Sequence, residues 1–159
     1  MFVLFALAAC GWLALLVSAP LLPAFLAAAL YAIGSQICHQ QAARSFHLGP
    51  AQLPVCARCI GIYAGAALGA IVAGRSPWRA SLRRLAPRAI LLYGALPTAT
   101  TIVAEWSGAW GGSNVIRAAA GVPLGSAVAL VVAQAVATLH YERCAPRRPI
   151  ASSRPPTPT

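Results

Sequence analysis

Long apolar runs constrain the fold of this chain more than any other feature. The first 37 residues carry no charge, and further apolar runs occupy residues 56–74, 89–106 and 114–140. Each run contains at least one stretch near the ~20 apolar residues that a helix needs to cross a bilayer. Only 9% of residues are charged, whereas soluble domains carry about 25%. The sequence therefore predicts an all-α, multi-pass transmembrane bundle of about four spans, rather than a soluble enzyme or a nucleic-acid-binding module.

The uncharged N-terminal region is too long for one straight span. At about 1.5 Å per residue, one helix over all of it would measure on the order of 50 Å. Pro20 and Pro23 interrupt it. We expect a spanning helix that ends near Ala19, followed by a shorter helix from Leu21 to Gly34 that is kinked, interfacial or partly re-entrant. Two full spans here, and five in the whole chain, are the alternative.

The positive charge lies in two blocks that predict the orientation in the membrane. The 12 basic residues are all Arg, against two acids, and cytoplasmic segments are enriched in such residues. We therefore place the C-terminus in the cytoplasm of a plasma-membrane protein, with the segment around Cys38 outside. Anionic lipid head groups are the expected partners of both blocks, and nucleic acid is not. The blocks consist of Arg75, Arg79, Arg83, Arg84 and Arg88, and of Arg143, Arg147, Arg148 and Arg154.

The second block marks a change in composition at the end of the chain. Residues 143–159 are rich in Pro, Ser and Arg, which is typical of disordered segments. We expect one integral-membrane domain over residues 1–142, followed by a disordered cytoplasmic tail.

Cysteine and histidine cluster between the first apolar region and the second predicted span. Cys38 and His39 precede a polar, Gly- and Pro-containing loop, and Cys56 and Cys59 form a Cys-x-x-Cys pair after it. Two thiolates on one helical turn suit tetrahedral Zn²⁺, and Cys38 with His39 completes a four-ligand set. His47 in the loop is the alternative to His39. A structural zinc, a functional metal site and a structural disulfide all remain open.

The same cysteines also permit redox chemistry. Cys56 and Cys59 stand at a predicted helix N-terminus with Arg58 between them, and both features favour a thiolate. Cys38 could then act as a third, exchanging cysteine. The topology is similar to that of quinone-coupled disulfide-generating membrane proteins, although the second cysteine pair of those proteins has no counterpart between the third and fourth spans. A thiol–disulfide oxidoreductase is thus the alternative function.

Small residues predict how the helices pack. Gly61, Gly65 and Gly69 in the second span, and Gly121 and Gly125 in the fourth, recur at four-residue spacing, which lets helix backbones approach closely. At about 100° per residue, Cys56, Cys59 and Tyr63 lie on the opposite face of the second span. That face is predicted to look towards the loop or a cavity.

Charged and polar residues at the predicted outer ends of the spans are further candidates. They are Arg44, Glu105, Asn114 and Arg117. Charges within spans are costly and are usually paired, so we expect a Glu105–Arg117 pair. It is either a structural salt bridge or part of a cavity beside the cysteines that holds an anionic or quinone-like head group.

Two groups of motifs resemble one family. The first comprises Cys38-His39-Gln40, Arg44-Ser45-Phe46, Gly49, Pro54 to Cys59 and Gly61-Ile62-Tyr63 with Gly65; the second comprises Ser113-Asn114, Arg117, Gly121 and Gly125. Together they resemble a prokaryotic family of predicted membrane proteins, domain-of-unknown-function family 2085. The resemblance covers roughly Tyr31 to Leu130 and implies a small multi-helix membrane protein with this Cys/His loop. It implies no activity, and a subunit or helper of a larger membrane complex is a third hypothesis.

Overall fold

The computed structural model describes residues 2–75 and 86–144 of the chain. Four long helices are α1 (Phe2–Ser18), α3 (Ala57–Gly74), α4 (Pro87–Trp106) and α5 (Asn114–Cys144). Between α1 and α3 lie a shorter helix, α2 (Ala24–Ile37), and two strands, β1 (Ser45–Leu48) and β2 (Ala51–Cys56). Single 3₁₀ turns at Ala19–Leu21 and Ala42–Arg44 connect these elements.

Four helices in the described ranges are long and apolar enough to cross a membrane. The candidate spans are Val3–Leu21, Ala57–Gly74, Pro87–Trp106 and Asn114–Leu139. The prediction of a multi-pass helical membrane protein is therefore confirmed. Helix α2 has 14 residues, which gives about 21 Å at the rise of an α-helix, less than the ~30 Å hydrocarbon core. One long helix followed by a shorter one is the arrangement expected from Pro20 and Pro23.

Helix α3 lies at the centre of the bundle, between α1 and α5, and α4 packs on another side of α5. The three glycines Gly61, Gly65 and Gly69, called the glycine face below, lie directly against the backbone of α5. A methyl group at Gly61 or Gly65 would overlap a carbonyl oxygen of α5, and one at Gly69 would lie 2.7 Å from the Ser126 oxygen. The predicted close packing of these two helices is confirmed.

The pairing of residues gives the direction of each helix. Gly61 approaches Ala118 and Gly69 approaches Ser126, so α3 and α5 run parallel. Thr98 donates to the Ala120 carbonyl oxygen at 2.7 Å, and Gly94 contacts Ala127, so α4 runs antiparallel to both. The N-termini of α3 and α5 and the C-terminus of α4 therefore share one end of the bundle, which we call the site end.

The segment expected to be a loop instead forms a β-hairpin. Strands β1 and β2 pair antiparallel, with Ser45 opposite Cys56 and His47 opposite Gln52. Gly49 turns the chain with φ of +62°, a conformation that glycine adopts without steric cost. Leu53, Pro54 and Val55 are buried, so an apolar strand lies within the polar segment. Because β2 runs directly into α3, the hairpin fixes the position of Cys56.

Helix α2 docks closely on this hairpin. A methyl group at Gly34 would overlap the carbonyl oxygen of Pro54, and the Tyr31 hydroxyl donates to the Gln52 carbonyl oxygen. The end of α2 is thereby held against β2, and Cys38, the first residue after α2, is brought to the start of α3.

Much of the first Arg block and most of the tail lie outside the described residues. These are Arg79, Arg83, Arg84, Arg147, Arg148 and Arg154. The orientation of the bundle, its lipid contacts and the division into a membrane domain and a tail therefore stay predictions.

Candidate functional site

Three cysteines from two separate parts of the chain meet at the site end. Cys38 is the residue that caps the C-terminus of α2, and its backbone N–H donates to the Gly34 carbonyl oxygen at 2.9 Å. Cys56 precedes α3 as its N-cap, and Cys59 lies in the first turn of α3. We call Cys38, Cys56 and Cys59 the thiol cluster.

The sulfur atoms of the thiol cluster converge on a small volume. All three Sγ atoms lie within 4.8 Å of one another, and those of Cys56 and Cys59 are 3.5 Å apart. The backbone N–H of Cys56 donates to the Cys38 sulfur at 3.2 Å, which fixes the two segments relative to each other. Each of the three is a free thiol, and together they are the group among the described residues that could hold a metal ion.

The Cys56 thiol is acidic because the Cys59 side chain hydrogen-bonds to it and because it stands at a helix N-terminus. Its hydrogen bond with the Cys59 side chain lowers the pKa of Cys56 from 9.0 to about 5, against the opposing effect of burial. Hydrogen bonds from the backbone N–H groups of Cys59 and Arg58 act in the same direction. Unpaired N–H groups in the first turn of a helix stabilise an adjacent anion. Cys56 is therefore suited to act as a thiolate.

His39 and His47, the two predicted alternatives for the fourth metal ligand, lie at different positions relative to the sulfur atoms. His39 is exposed and lines the same cavity as the thiol cluster, but its ring nitrogens are not part of the 4.8 Å group. His47 is exposed on β1, opposite Gln52, and it is also outside that group. The structure thus brings three of the four proposed ligands together and leaves His39 at the rim.

An open cavity of about 240 Å³ lies over the sulfurs. The thiol cluster forms part of its wall, and Arg44 and Arg58 form another part. The remaining lining residues are Ile37, His39, Gln40 and Gln41. The predicted cavity beside the cysteine face therefore exists, and it carries sulfur and guanidinium groups together.

Glu105 gathers three guanidinium groups next to this cavity. Its Oε1 accepts hydrogen bonds from Arg58 at 2.8 Å and from Arg117 at 3.0 Å, and its Oε2 lies 3.8 Å from Arg44. The Glu105 side chain is only 5% exposed. The predicted Glu105–Arg117 pair is confirmed, and Arg44 and Arg58 join it. We call Arg44, Arg58 and Arg117 the arginine cluster.

Arg117 and Asn114 connect this cluster to the hairpin. The Arg117 guanidinium donates to the Asn114 side-chain oxygen at 2.9 Å, and the Asn114 amide donates to the Ser45 carbonyl oxygen at 3.0 Å. Arg117 also lies 5.8 Å from the ring centre of Trp110, within cation–π range. Asn114 therefore links the start of α5 to β1.

Tyr63 lies below the thiol cluster on the same face of α3. Its ring meets Trp12 of α1 edge to face, with ring centres 6.2 Å apart. Leu16 of α1, Cys38 and Val55 form the buried apolar core against which Cys56, Cys59 and Tyr63 pack. This side of α3 thus supports the sulfurs with a close-packed apolar layer.

Two glutamine side chains hold the hairpin in place. The sequence did not predict them as site residues. Gln40 has φ of +48°, an uncommon conformation for a residue with a side chain. Its amide donates to the carbonyl oxygens of Tyr31 and Pro54, each at 2.8 Å. The Gln52 amide donates in turn to the Gln40 carbonyl oxygen at 2.6 Å. The only feature of the sequence that pointed to this role of Gln40 was its position directly after Cys38 and His39.

Comparisons with known proteins give a family but no activity. A family model described as "Predicted membrane protein (DUF2085)" matches residues 38–131. The uncharacterized protein MJ1492 of Methanocaldococcus jannaschii is 48% identical over 48 residues, which are 30% of this chain and 31% of that relative. No solved structure matches this chain. The family match covers the thiol cluster, the arginine cluster and the seam between α3 and α5, and the chain belongs to the predicted membrane protein family DUF2085.

Proposed function

We propose that this membrane protein binds zinc through the thiol cluster. The observation that carries the proposal is the convergence of three Sγ atoms, from two distant segments, to within 4.8 Å of one another. Thiolates are preferred ligands of Zn²⁺, with Zn–S distances of about 2.3 Å.

The spacing of the sulfurs fits this ion. Two thiolates on a tetrahedral zinc stand about 3.8 Å apart, from the Zn–S distance and the tetrahedral angle. Cys56 and Cys59 are 3.5 Å apart, and Cys38 lies within the same group. Cys56 and Cys59 are thus close to the required spacing, and bringing Cys38 from within 4.8 Å to that spacing needs a shift of about 1 Å at most.

The chain supplies three ligands in this arrangement, and the fourth position would face the cavity. Structural zinc sites have four protein ligands, whereas catalytic sites keep one position for water or substrate. His39 at the cavity rim is the side chain that could close the fourth position by rotating inwards. A zinc ion with a free position would supply a Lewis acid to a bound ligand.

The orientation of the site is part of the same proposal. Arg75 and Arg88 stand at the opposite end of the bundle from the thiol cluster, by the order of the helices. By the positive-inside rule, we place that end and the C-terminus in the cytoplasm, and the thiol cluster at the extracytoplasmic face of the plasma membrane. Anionic lipid head groups would then contact the Arg-rich inner segments.

Metal content of purified variants tests the proposal. The protein is purified in mild detergent, and zinc is counted per chain for wild type, for Cys38→Ser, Cys56→Ser and Cys59→Ser, and for Cys10→Ser as the matched control. Cys10 is an exposed thiol on α1, outside the thiol cluster. We expect about one zinc per chain in wild type and Cys10→Ser, and loss of zinc in the other three. Zinc retained in all three cluster variants would overturn the proposal.

A membrane thiol–disulfide oxidoreductase is the second candidate function. It is supported by the 3.5 Å separation of the Cys56 and Cys59 sulfurs at a helix N-terminus. Here Cys56 and Cys59 would be oxidised to a disulfide, and the two electrons and two protons released would pass to a quinone. This function predicts that Cys59→Ser traps a mixed disulfide between Cys56 and a partner protein, which a gel without reductant would detect. A role as a subunit of a larger membrane complex would instead give co-purification that is independent of the cysteines.

A further inference from the structure

Positive charge exceeds negative charge beside the cavity above the thiol cluster. Three guanidinium groups share a single carboxylate, that of Glu105. If the ion pairs only held α3, α4 and α5 together, one or two guanidinium groups on Glu105 would be enough. Arg58 and Arg117 already do this, since both donate to the same Oε1 atom.

Arg44 is the member of the cluster left without a close partner. Its guanidinium lies 3.8 Å from Oε2 of Glu105, beyond hydrogen-bond distance, and it has no hydrogen-bond partner among the described residues. Its side chain is 44% exposed and lines the cavity. A guanidinium carries five N–H donors in a planar fork that matches an oxyanion, so Arg44 has free donors that face the cavity.

Arg58 adds a second unsatisfied donor on the same wall. Its side chain is 17% exposed, and its Nε atom is buried without a hydrogen-bond partner. Buried donors without a partner cost free energy and are uncommon in folded proteins. Arg44 thus gives the cavity unused N–H groups, and Arg58 adds charge on the same wall, with its unpaired Nε buried beneath the surface.

We infer that this cavity binds a singly charged oxyanion, with Arg44 and Arg58 as its binding residues beside the thiol cluster. The inference rests on the proposed zinc site for its charge balance. Three thiolates and one Zn²⁺ carry a net charge of −1, and the three guanidiniums with Glu105 carry +2. One positive charge is left for the ligand. The carboxylate of a soluble molecule and the phosphodiester of a lipid head group share this chemistry.

The position of the cavity is compatible with both sources. It lies at the site end, where α3 and α5 begin and α4 ends, and this is the level at which a spanning bundle meets the head groups. The cavity is also open, so a soluble carboxylate could reach it from the water.

Two binding measurements on the full-length protein separate these sources. In the first, sodium acetate is titrated calorimetrically into detergent-purified protein, with sodium chloride added to hold the ionic strength constant. In the second, delipidated protein is placed in nanodiscs of phosphatidylcholine with or without phosphatidylglycerol, and retained lipid is counted by native mass spectrometry. Arg44→Gln is the test variant because the Arg44 side chain is partly exposed, and Gln36→Ala, at an exposed position outside the cavity lining, is the control.

Saturable acetate binding that Arg44→Gln weakens by about tenfold, the size expected for one lost charge-assisted hydrogen bond, supports a soluble oxyanion. A phosphatidylglycerol molecule retained by wild type and Gln36→Ala but lost from Arg44→Gln supports a lipid head group. The inference is overturned if wild type binds neither probe. It is also overturned if Arg44→Gln binds both probes as strongly as wild type does. Zinc is counted on every sample. If zinc is present and no oxyanion binds, this inference fails and the zinc proposal stands. If an oxyanion binds through Arg44 and no zinc is present, the zinc proposal fails and oxyanion binding at the cavity stands.

Discussion

The two faces of helix α3 are built on different physical principles. On the glycine face, Gly61 and Gly65 allow the helix backbone to touch the backbone of α5. On the opposite face, Cys59 and Tyr63 pack against α1 and the hairpin. The first face is stabilised by steric fit along the bundle. The second depends, at the site end, on polar contacts between segments far apart in sequence. The glycine face thus holds the scaffold together, whereas the other face presents the thiol cluster.

The polar contacts at the site end should be the most sensitive to a single change. Glu105→Gln removes the carboxylate that three guanidiniums share, two of which are largely buried. Breaking a buried ion pair from one side costs about 3–5 kcal/mol. We expect a loss of that order in the free energy of unfolding, measured by denaturant titration in detergent. Arg88→Gln also changes the charge by one, at an exposed position, and should have little effect. A similar small effect for Glu105→Gln would show that the site end does not depend on its ion pairs.

The glycine face should respond to added volume rather than to charge. Gly65→Ala places a methyl group against the Val122 carbonyl oxygen, and overpacking of this kind costs about 1–3 kcal/mol. We expect a matching loss of stability in the same titration, with zinc content unchanged in the folded fraction. Gly11→Ala on α1, where nothing lies within 4 Å of the new methyl group, is the control. Equal stability of the two variants would contradict a backbone-to-backbone seam.

Gln40 links α2 to the hairpin beside the thiol cluster. Its loss should therefore lower both the stability of the protein and its affinity for zinc. Gln40→Ala removes two hydrogen bonds of 2.8 Å to the carbonyl oxygens of Tyr31 and Pro54, each worth about 1 kcal/mol. We expect a loss of about 1–2 kcal/mol in stability and a weaker affinity for zinc, measured by competition with a chelator. Gln36→Ala, an exposed glutamine on α2, should change neither. Unchanged zinc affinity in Gln40→Ala would mean that the thiol cluster does not need this turn.

The most local effect concerns the reactivity of Cys56 in metal-free protein. Because its hydrogen bond with Cys59 lowers the pKa of Cys56 to about 5, the thiolate should predominate above that pH. The alkylation rate by iodoacetamide, followed by peptide mass spectrometry, should therefore rise with pH to a plateau with its midpoint near 5. In Cys59→Ala, which removes the side-chain hydrogen bond, the midpoint should move towards the ordinary value of 9.0. Identical profiles in both proteins would exclude Cys59 as the cause of the low pKa.

The glycine face could be predicted from the sequence because it depends on local spacing. Four-residue intervals between Gly61, Gly65 and Gly69 are visible without any knowledge of the fold. The same holds for the four spans, whose apolar runs end close to the observed helix ends. The Glu105–Arg117 pair was also predictable, because charges at span ends have few possible partners.

The site end was less predictable because its contacts span the chain. The hairpin was missed since Gly49, Pro50 and Pro54 are typical of a loop, and its strands have only four and six residues. Without the hairpin, neither the role of Gln40 nor the fixed approach of Cys38 to Cys56 could be derived. Arg58 was assigned to the neighbouring cysteines, and only the antiparallel packing of α4 brings Glu105 to it.

The most direct test of the central claim is zinc K-edge X-ray absorption of the purified wild-type protein. A site formed by Cys38, Cys56 and Cys59 predicts about three sulfur scatterers near 2.3 Å and one nitrogen or oxygen scatterer near 2.0 Å. The three cluster variants to serine would lose this signal, and Cys10→Ser would retain it. A zinc ion surrounded only by nitrogen and oxygen would contradict the account, because the thiol cluster would then not be the metal site.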